Sequence, residues 1–312
     1  MEFLGDGIVV TARETSKGND GLSCAEFLSA DMELNNVSPS HSVSQGVLAA
    51  PIAKSLLKSF VEKHKFEKRL CHVVLKPADY QLLLVDAPDV PEAEMREAMR
   101  WRIKDLISIP LANAVIDIFN LPTDANRAGK RMSYVVVADL TMIQHIMDVV
   151  KHAGLKLSSI DISELAMRNL TLLSEEERAV AITRVREGGG SVSIFRNGDL
   201  YLSRQFQLNY NAGLLDDLPD DVLALEIQRS LDYFERQMGQ APPAYVHMCG
   251  TSVSEDKITQ NLRRGLNVPI KFFDLTQTLS LGDDKQEHNM LDEGMLQLTI
   301  AALGALYRKE AS

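Results

Sequence analysis

Apolar and polar positions in the first half of the chain alternate between helix-like and strand-like periods. Apolar residues at helical spacing predict a helix over 47–64. A second helix is predicted over 90–110, because Pro91 and acidic residues begin it and Pro110 ends it. A third is predicted over 141–152. The remaining elements are strands at DGIVVTA, CAEFLSA, CHVVL, QLLLV, AVIDIFNLP, MSYVVVADL and KLSSIDI, and a helix at SELAMRNLTLL.

The second half repeats this alternation from about residue 175. Two strands meet at an Asn197-Gly198 pair, which supplies the positive φ angles of a type I′ hairpin turn. Strands and helices alternate within each half, so the pattern predicts an α/β fold with two lobes. The later elements are a long helix over 219–237, a strand ending at HMCG, a helix over 254–266, a strand at VPIKFFDL and a closing helix over 291–308.

Composition narrows the class of protein. The 312 residues are enough for two domains, and 43 acidic against 33 basic residues give a net charge of −10. This balance disfavours nucleic-acid binding and favours cationic partners. Three scattered cysteines predict a reduced, cytosolic compartment, and the N-terminus lacks the pattern of a signal peptide. The longest apolar run, from Met295, is too short to cross a bilayer, so we expect any membrane role to come through a partner.

Four segments occur in order along nearly the whole chain: EAEMREAMRWRIKDLISIPLANAVIDIF, LALEIQRSLDYF, NLRRGLNVPIKFFD and TIAALGALYR. Together they resemble the PilM family of type IV pilus biogenesis proteins. Within that family, the subgroup that they resemble most is MshI, from biogenesis of the mannose-sensitive haemagglutinin (MSHA) pilus. No one of these motifs is specific, but the ordered set is.

The resemblance implies an actin-like fold, that is, a duplicated ribonuclease H-like fold with nucleotide between two lobes. The first lobe would span 1–174 with an insertion subdomain at about 70–157, and the second lobe 175–312, with helix 291–308 packing back on the first lobe. It further implies a cytoplasmic protein at the inner membrane that binds the N-terminal cytosolic tail of a PilN-like membrane protein. A homo-oligomer is possible under this hypothesis.

The nucleotide site that the resemblance implies matches the sequence poorly. Glu2 falls near the first acidic position, but Arg184 and Arg186 stand where the second hairpin of the family has Asp and Gly. An arginine there would repel Mg²⁺. The triplet Gly188, Gly189 and Gly190 is interpreted as a hairpin loop, with a metal-free anion nest as the alternative.

The other parts of that site are also reduced. Gly250, followed by Thr251, stands alone where paired glycines are expected, and only about a dozen residues replace the helical subdomain of the second lobe. We therefore expect a degenerate nucleotide site with no cofactor, the alternative being ATP with Mg²⁺.

The resemblance also implies a partner-binding groove in the first lobe, and the second helix and the strand QLLLV are the candidates for its lining. Trp101, Met95 and Met99 either pack in the core or line a peptide groove. The strand is interpreted first as a buried strand; if it lies at a sheet edge, it could accept a peptide by strand addition. Nearby acids would attract a tail that is basic by the positive-inside rule, or are simply solvated. The candidate residues are Leu83, Val85, Asp86, Asp89, Glu92, Met95, Met99 and Trp101.

No enzyme motif emerges from the sequence. His247 and Cys249 lie two apart on a strand, but no third group orients them, and the other histidines do not form a metal-ligand set. The leading hypothesis is a non-enzymatic adaptor of a pilus assembly platform, with no catalytic or metal site. A nucleotide-dependent switch of the same fold and an unrelated α/β enzyme are the alternatives.

Overall fold

The computed structural model describes residues 1–3, 7–16, 19–29, 50–125, 130–173, 176–213, 216–251, 253–278 and 293–308. The described strands of the first lobe are β1 (Glu2–Phe3), β2 (Gly7–Ser16), β3 (Asn19–Ser29), β4 (Leu70–Leu75), β5 (Tyr80–Asp86), β6 (Ala114–Asn120), β7 (Met132–Asp139) and β8 (Lys156–Ile162). Its helices are α1 (Ala50–His64), α2 (Glu92–Ile103), α3 (Leu140–His152) and α4 (Ser163–Thr171).

The second lobe contains the strands β9 (Val180–Arg186), β10 (Gly189–Arg196), β11 (Asp199–Gln207), β12 (Val246–Gly250) and β13 (Ile270–Phe272). Its helices are α5 (Asp220–Asp232), α6 (Gln260–Arg264), α7 (Leu275–Thr278), α8 (Glu293–Leu298) and α9 (Ile300–Leu306).

Each lobe is built on the same five-stranded sheet. The strand order is β3-β2-β1-β4-β8 in the first lobe and β11-β10-β9-β12-β13 in the second. In both, three antiparallel strands are followed by two strands that run parallel to the first of the three. The chain therefore contains two copies of one topology.

A third sheet, of order β5-β7-β6, is inserted into the first lobe. It occupies residues 80–139, a narrower range than the expected 70–157. The reason is that β4 and β8, at the two ends of that range, pair with each other in the five-stranded sheet. Helix α2 covers one face of the inserted sheet through Met95, Met99 and Ile103.

Apolar side chains on both faces of the first-lobe sheet explain where its helices pack. On β4, Val73 points to α1 and α3, whereas Val74 points to the opposite side, toward α4 and α9. Helix α9 thus lies against the first lobe although it follows the second lobe in sequence. Close packing requires Gly304, since a Cβ there would lie 2.1 Å from the Ala166 carbonyl oxygen.

Some predicted elements have different bounds. Helix α2 ends at Ile103 rather than near Pro110, and the long second-lobe helix ends as α5 at Asp232, followed by a π-helical turn over Tyr233–Gln237. The closing helix is two helices, α8 and α9, separated at Thr299, whose side-chain hydroxyl bonds to the Leu296 carbonyl. A side chain that bonds the preceding turn competes with the helical ladder. Residues 291 and 292 of that predicted helix lie outside the described residues.

Candidate functional site

An ion pair joins the two lobes where the sequence placed the degenerate nucleotide site. Glu2 on β1 and Arg184 on β9 approach to 3.6 Å, with side chains 1% and 11% exposed. Neither the Oε2 atom of Glu2 nor the Nη1 atom of Arg184 has a hydrogen-bond partner in the described part of the chain. Two buried charges thus compensate each other across the lobe boundary by proximity rather than by a hydrogen bond.

Further polar groups fill the space around this pair. Tyr80 donates a hydrogen bond to Glu164, and the Ser203 hydroxyl of the second lobe donates to the same carboxylate at 3.2 Å. Burial, and then the Glu164 charge, raise the pKa of Tyr80 well above its usual value. Burial and the neighbouring Arg184 charge lower the pKa of Arg186. The cluster links side chains of both lobes, although Glu2 Oε2 and Arg184 Nη1 within it have no hydrogen-bond partner among the described residues.

Sequence reasoning missed Tyr80, Glu164 and Ser203. One signal was present in the sequence, because Glu164 is the second residue after strand β8, and such strand ends form ligand sites in α/β proteins. The partners come from three distant segments, and only the fold brings them together.

The glycine triplet forms a hairpin whose backbone groups are already used. Gly188 (φ +71°) is the second residue of the turn between β9 and β10, and its N–H donates to the Tyr210 carbonyl at 2.8 Å. Gly189 and Gly190 pair with both neighbouring strands. An added Cβ at Gly190 would lie 2.6 Å from the Phe206 ring. Close strand packing, rather than a free row of N–H donors, therefore accounts for these glycines.

Gly250 stands at the end of β12, close to the first hairpin strand of its lobe. Its φ is +131°, and a Cβ there would come within 1.8 Å of the Val185 carbonyl oxygen. Its N–H donates to Gln297 Oε1 on α8 at 3.0 Å. Thr251, beside it, is exposed. The Gln297 side chain therefore accepts the hydrogen bond from the Gly250 N–H, at the position where the family resemblance implies adenosine binding.

These residues do not fit a magnesium nucleotide. The described residues contain no group of three or more His, Cys, Asp or Glu side chains that could hold a metal ion. The acid at Glu2 is paired with an arginine, and the glycine N–H groups of Gly188 and Gly250 donate within the protein. Phosphate binding at such loops uses free backbone N–H groups.

The His247 and Cys249 pair has no nucleophilic character. Burial raises the pKa of the Cys249 thiol to about 12, and its sulfur donates to the Thr183 carbonyl. His247 stacks on Phe273 at 4.4 Å between ring centroids, and burial, followed by the Lys271 charge, lowers its pKa to about 4. At neutral pH the thiol is protonated and the imidazole is neutral, so both act as packing groups.

The predicted groove residues do not lie together. Val85, Met95 and Met99 are buried between α2 and the inserted sheet, and Leu83 packs partly against them. Trp101 is 60% exposed, with its indole N–H donating to Glu97 at 3.0 Å. Met95 and Met99 are four residues apart and share a helix face, whereas Trp101 is rotated by about 200° from Met99. Both sequence interpretations of Trp101 grouped it with the methionines, and the structure separates them.

The predicted acids lie near basic side chains. Asp86 is 3.4 Å from Arg102 and 3.6 Å from Lys130, and Asp89 is 3.2 Å from Arg131. Glu92 is exposed at the start of α2. Local bases therefore offset part of the negative charge that was expected to attract a cationic tail.

Strand β5 lies at an edge of the inserted sheet among the described residues. Its other side pairs with β7 along its whole length. An edge strand presents a row of backbone donors and acceptors to an added strand. Strand β5 therefore has the edge position that the strand-addition alternative requires. The loop at Ser108, whose N–H and hydroxyl both donate to Gln81, borders this edge.

Comparison with known proteins identifies the fold of this chain. No family model matches the sequence, and no curated protein matches it significantly. The duplicated sheets with a first-lobe insertion form an α/β actin-like fold, as the resemblance implied.

Among solved structures, the chain is similar to a PilM-PilN type IV pilus biogenesis complex, with a TM-score of 0.65 and 16% identity over 96% of this chain and 93% of that one. At this identity the likeness shows the fold alone. The cytoplasmic domain of EpsL, an inner-membrane component of the type II secretion system of Vibrio cholerae, matches with a TM-score of 0.48 and 11% identity over 95% of each chain. A Bacteroides thetaiotaomicron protein with an actin-like ATPase fold matches with a TM-score of 0.48 and 11% identity, over 86% of this chain and 88% of that one.

In the ranges that the structure describes, every helix is too short or too polar to cross a bilayer.

Proposed function

We propose that this protein is a non-enzymatic, actin-like adaptor of a type IV pilus assembly platform, of the MSHA type. In this role it binds the cytosolic N-terminal tail of a PilN-like inner-membrane protein and acts at the cytosolic face of that membrane. The observation that carries the proposal is the buried Glu2–Arg184 pair, at the positions to which the family resemblance assigns the cation-binding acids of an actin-like ATPase. The likeness to the PilM-PilN complex supports the choice of system.

The tail is proposed to add as a strand to the open edge of β5. Main-chain hydrogen bonds would provide affinity, and side chains beside the edge would provide selectivity. Asp89 and Glu92 are well exposed next to this edge and are suited to contact a lysine or arginine of the tail. Trp101 is on the exposed side of α2, in the same subdomain.

Because Trp101 is the single tryptophan of the chain, its fluorescence can report binding of the tail. A synthetic tail peptide of a PilN-like protein is titrated while Trp101 fluorescence is recorded, and saturable binding is expected. The variant Asp89→Lys with Glu92→Lys is expected to weaken binding by about tenfold, since each exposed charge contact contributes about 0.2–1 kcal/mol and reversal adds repulsion. A matched control, Glu177→Lys with Asp217→Lys, changes net charge equally on exposed positions of the second lobe.

Equal loss of binding in the test and control variants would contradict the proposed surface, because only net charge would then matter. Absence of binding by the unmodified protein, checked also by calorimetry, would contradict the adaptor function itself.

A further inference from the structure

Two neighbouring turns at one end of the first-lobe sheet carry exposed lysines. Lys65 and Lys68 lie between α1 and β4, Lys151 is at the end of α3, and Lys156 begins β8. All four are exposed. These four lysines are called the basic surface below.

Backbone hydrogen bonds hold the two turns side by side. The Lys68 N–H donates to the Gly154 carbonyl at 2.8 Å, and the Lys156 N–H donates to the Arg69 carbonyl at 2.9 Å. Leu70 and Lys156 are register partners at the start of the parallel pair β4 and β8. The lysines therefore belong to one continuous surface of fixed geometry.

The charge of the basic surface is not compensated by ion pairs. Within the described ranges, none of its four lysines is within ion-pair distance of an acid, and Glu67 is an exposed acid in the first of the two turns. By contrast, Lys54, Lys58 and Lys63 on the adjacent α1 are paired with acids. A chain of net charge −10 thus exposes a local positive field.

Helix electrostatics explain only part of this arrangement. A base near a helix C-terminus is stabilised by the helix dipole, which accounts for Lys151. That effect fades beyond the last turn, so it does not account for Lys68 or Lys156.

Apolar side chains project from the same surface. Leu70 is 65% exposed, more than any other large hydrophobic side chain among the residues described. Met147 is 49% exposed and precedes Lys151 by four residues, so both lie on one side of α3. Exposed apolar groups surrounded by lysines are typical of protein surfaces that bind membranes.

We propose that the basic surface binds the headgroups of an anionic bilayer directly, with Leu70 entering the interface. Lysine side chains suit this role, since their flexible stems lie along the apolar boundary while the ammonium groups reach phosphates without a fixed geometry. The acidic remainder of the protein does not prevent contact, because charges are screened over about 8 Å at physiological salt.

This contact would orient the molecule. The parallel strands β4 and β8 run from the basic surface toward the lobe boundary, where β8 leads directly into Ser163 and Glu164. Glu2 pairs with Val74, four residues after Leu70, so the membrane-binding end would be about 13 Å along the strands from the Glu2–Arg184 pair. This inference goes beyond tail binding and does not depend on it.

Vesicle sedimentation of the full chain tests the proposal. The probes are phosphatidylcholine vesicles and phosphatidylcholine–phosphatidylglycerol vesicles, without any pilus protein. We expect binding to the anionic vesicles alone, weakening as salt is added. Each lysine near an anionic surface contributes about fivefold to the partition coefficient. The variant Lys68→Glu with Lys156→Glu is therefore expected to lower this coefficient by about 25-fold or more. Leu70→Ser is expected to reduce binding at high salt, where the apolar contribution remains.

The control is Arg236→Glu with Arg264→Glu, which changes net charge equally on exposed positions of the second lobe. We expect this variant to bind anionic vesicles nearly as the unmodified protein does. Equal loss in both variants, or equal binding to both vesicle types, would overturn the proposal. So would capture of a soluble poly-glutamate peptide without vesicle binding, which would assign the basic surface to an acidic protein partner.

Discussion

At the scale of single residues, the central feature is a pair of opposite charges withdrawn from water. Glu2 and Arg184 are almost fully buried, and each depends on the other for compensation. Removing one partner of such a pair leaves a buried charge unbalanced, whereas removing both can be nearly neutral. Comparing the single variants with the double variant therefore distinguishes an interacting charge pair from two side chains that act independently.

The variant Arg184→Met is expected to lower the free energy of unfolding by about 3–5 kcal/mol, because Glu2 loses its partner in a buried setting. Adding Glu2→Gln should restore most of this loss. Urea denaturation of the two single variants and the double variant measures the coupling. Simple additivity of the single effects would contradict a direct interaction.

His247 makes stability depend on pH. Its pKa is about 4 in the folded protein, through burial first and the Lys271 charge second, against 6.5 in the unfolded chain. Between these values the unfolded state binds a proton that the folded state does not, so stability falls as pH decreases from 6.5 toward 4. The contribution is up to about 3 kcal/mol.

We expect His247→Phe to flatten the pH dependence of the unfolding free energy over this range, since phenylalanine retains the stacking surface and does not titrate. Parallel urea titrations of the two proteins at several pH values provide the measurement. An unchanged slope in the variant would mean that other groups account for the acid sensitivity.

At the scale of elements, periodicity predicted the strands better than the ends of the helices. Runs such as VVV in β7 have few alternatives to a buried strand, and the Asn197-Gly198 turn has positive φ at both residues, as expected. Helix ends depend on contacts between distant residues. Asp139 caps α3 through the Thr141 and Met142 N–H groups, whereas the break at Thr299 has no clear signal in the sequence.

Contact between α9 and α4 is the element interaction most sensitive to a single change. In Gly304→Ala the new methyl group would collide with the Ala166 carbonyl, and the Asn169 amide that donates to Gly304 O would be displaced. We expect a loss of about 2–3 kcal/mol in the free energy of unfolding and earlier proteolytic cleavage near the C-terminus.

Gly265→Ala is the matched control, because its φ is −71° and the nearest atom to an added Cβ is 3.2 Å away. Its stability is expected to stay within about 0.5 kcal/mol of the unmodified protein. Equal effects of the two changes would show that the α9–α4 contact is not specially constrained.

At the scale of the whole molecule, the two sheets and the inserted subdomain follow from the order of elements along the chain. The predicted α/β actin-like fold is confirmed by the duplicated topology and by the structural likeness. The contacts within the site could be predicted less completely from the sequence. The substitution at Arg184 was visible, but its pairing with Glu2 depends on residues 182 positions apart in sequence meeting across the lobes. The separation of Trp101 from the methionines follows from helical geometry alone and was available from spacing.

The most direct test of the central claim is thermal denaturation of the purified protein with ATP, with and without Mg²⁺. The Glu2–Arg184 pair leaves no acid free to bind the cation, and the glycine N–H groups already donate within the protein. The melting temperature is therefore expected to be the same in both conditions. A Mg²⁺-dependent rise in the melting temperature that saturates with ATP would contradict this account and favour a nucleotide-dependent switch.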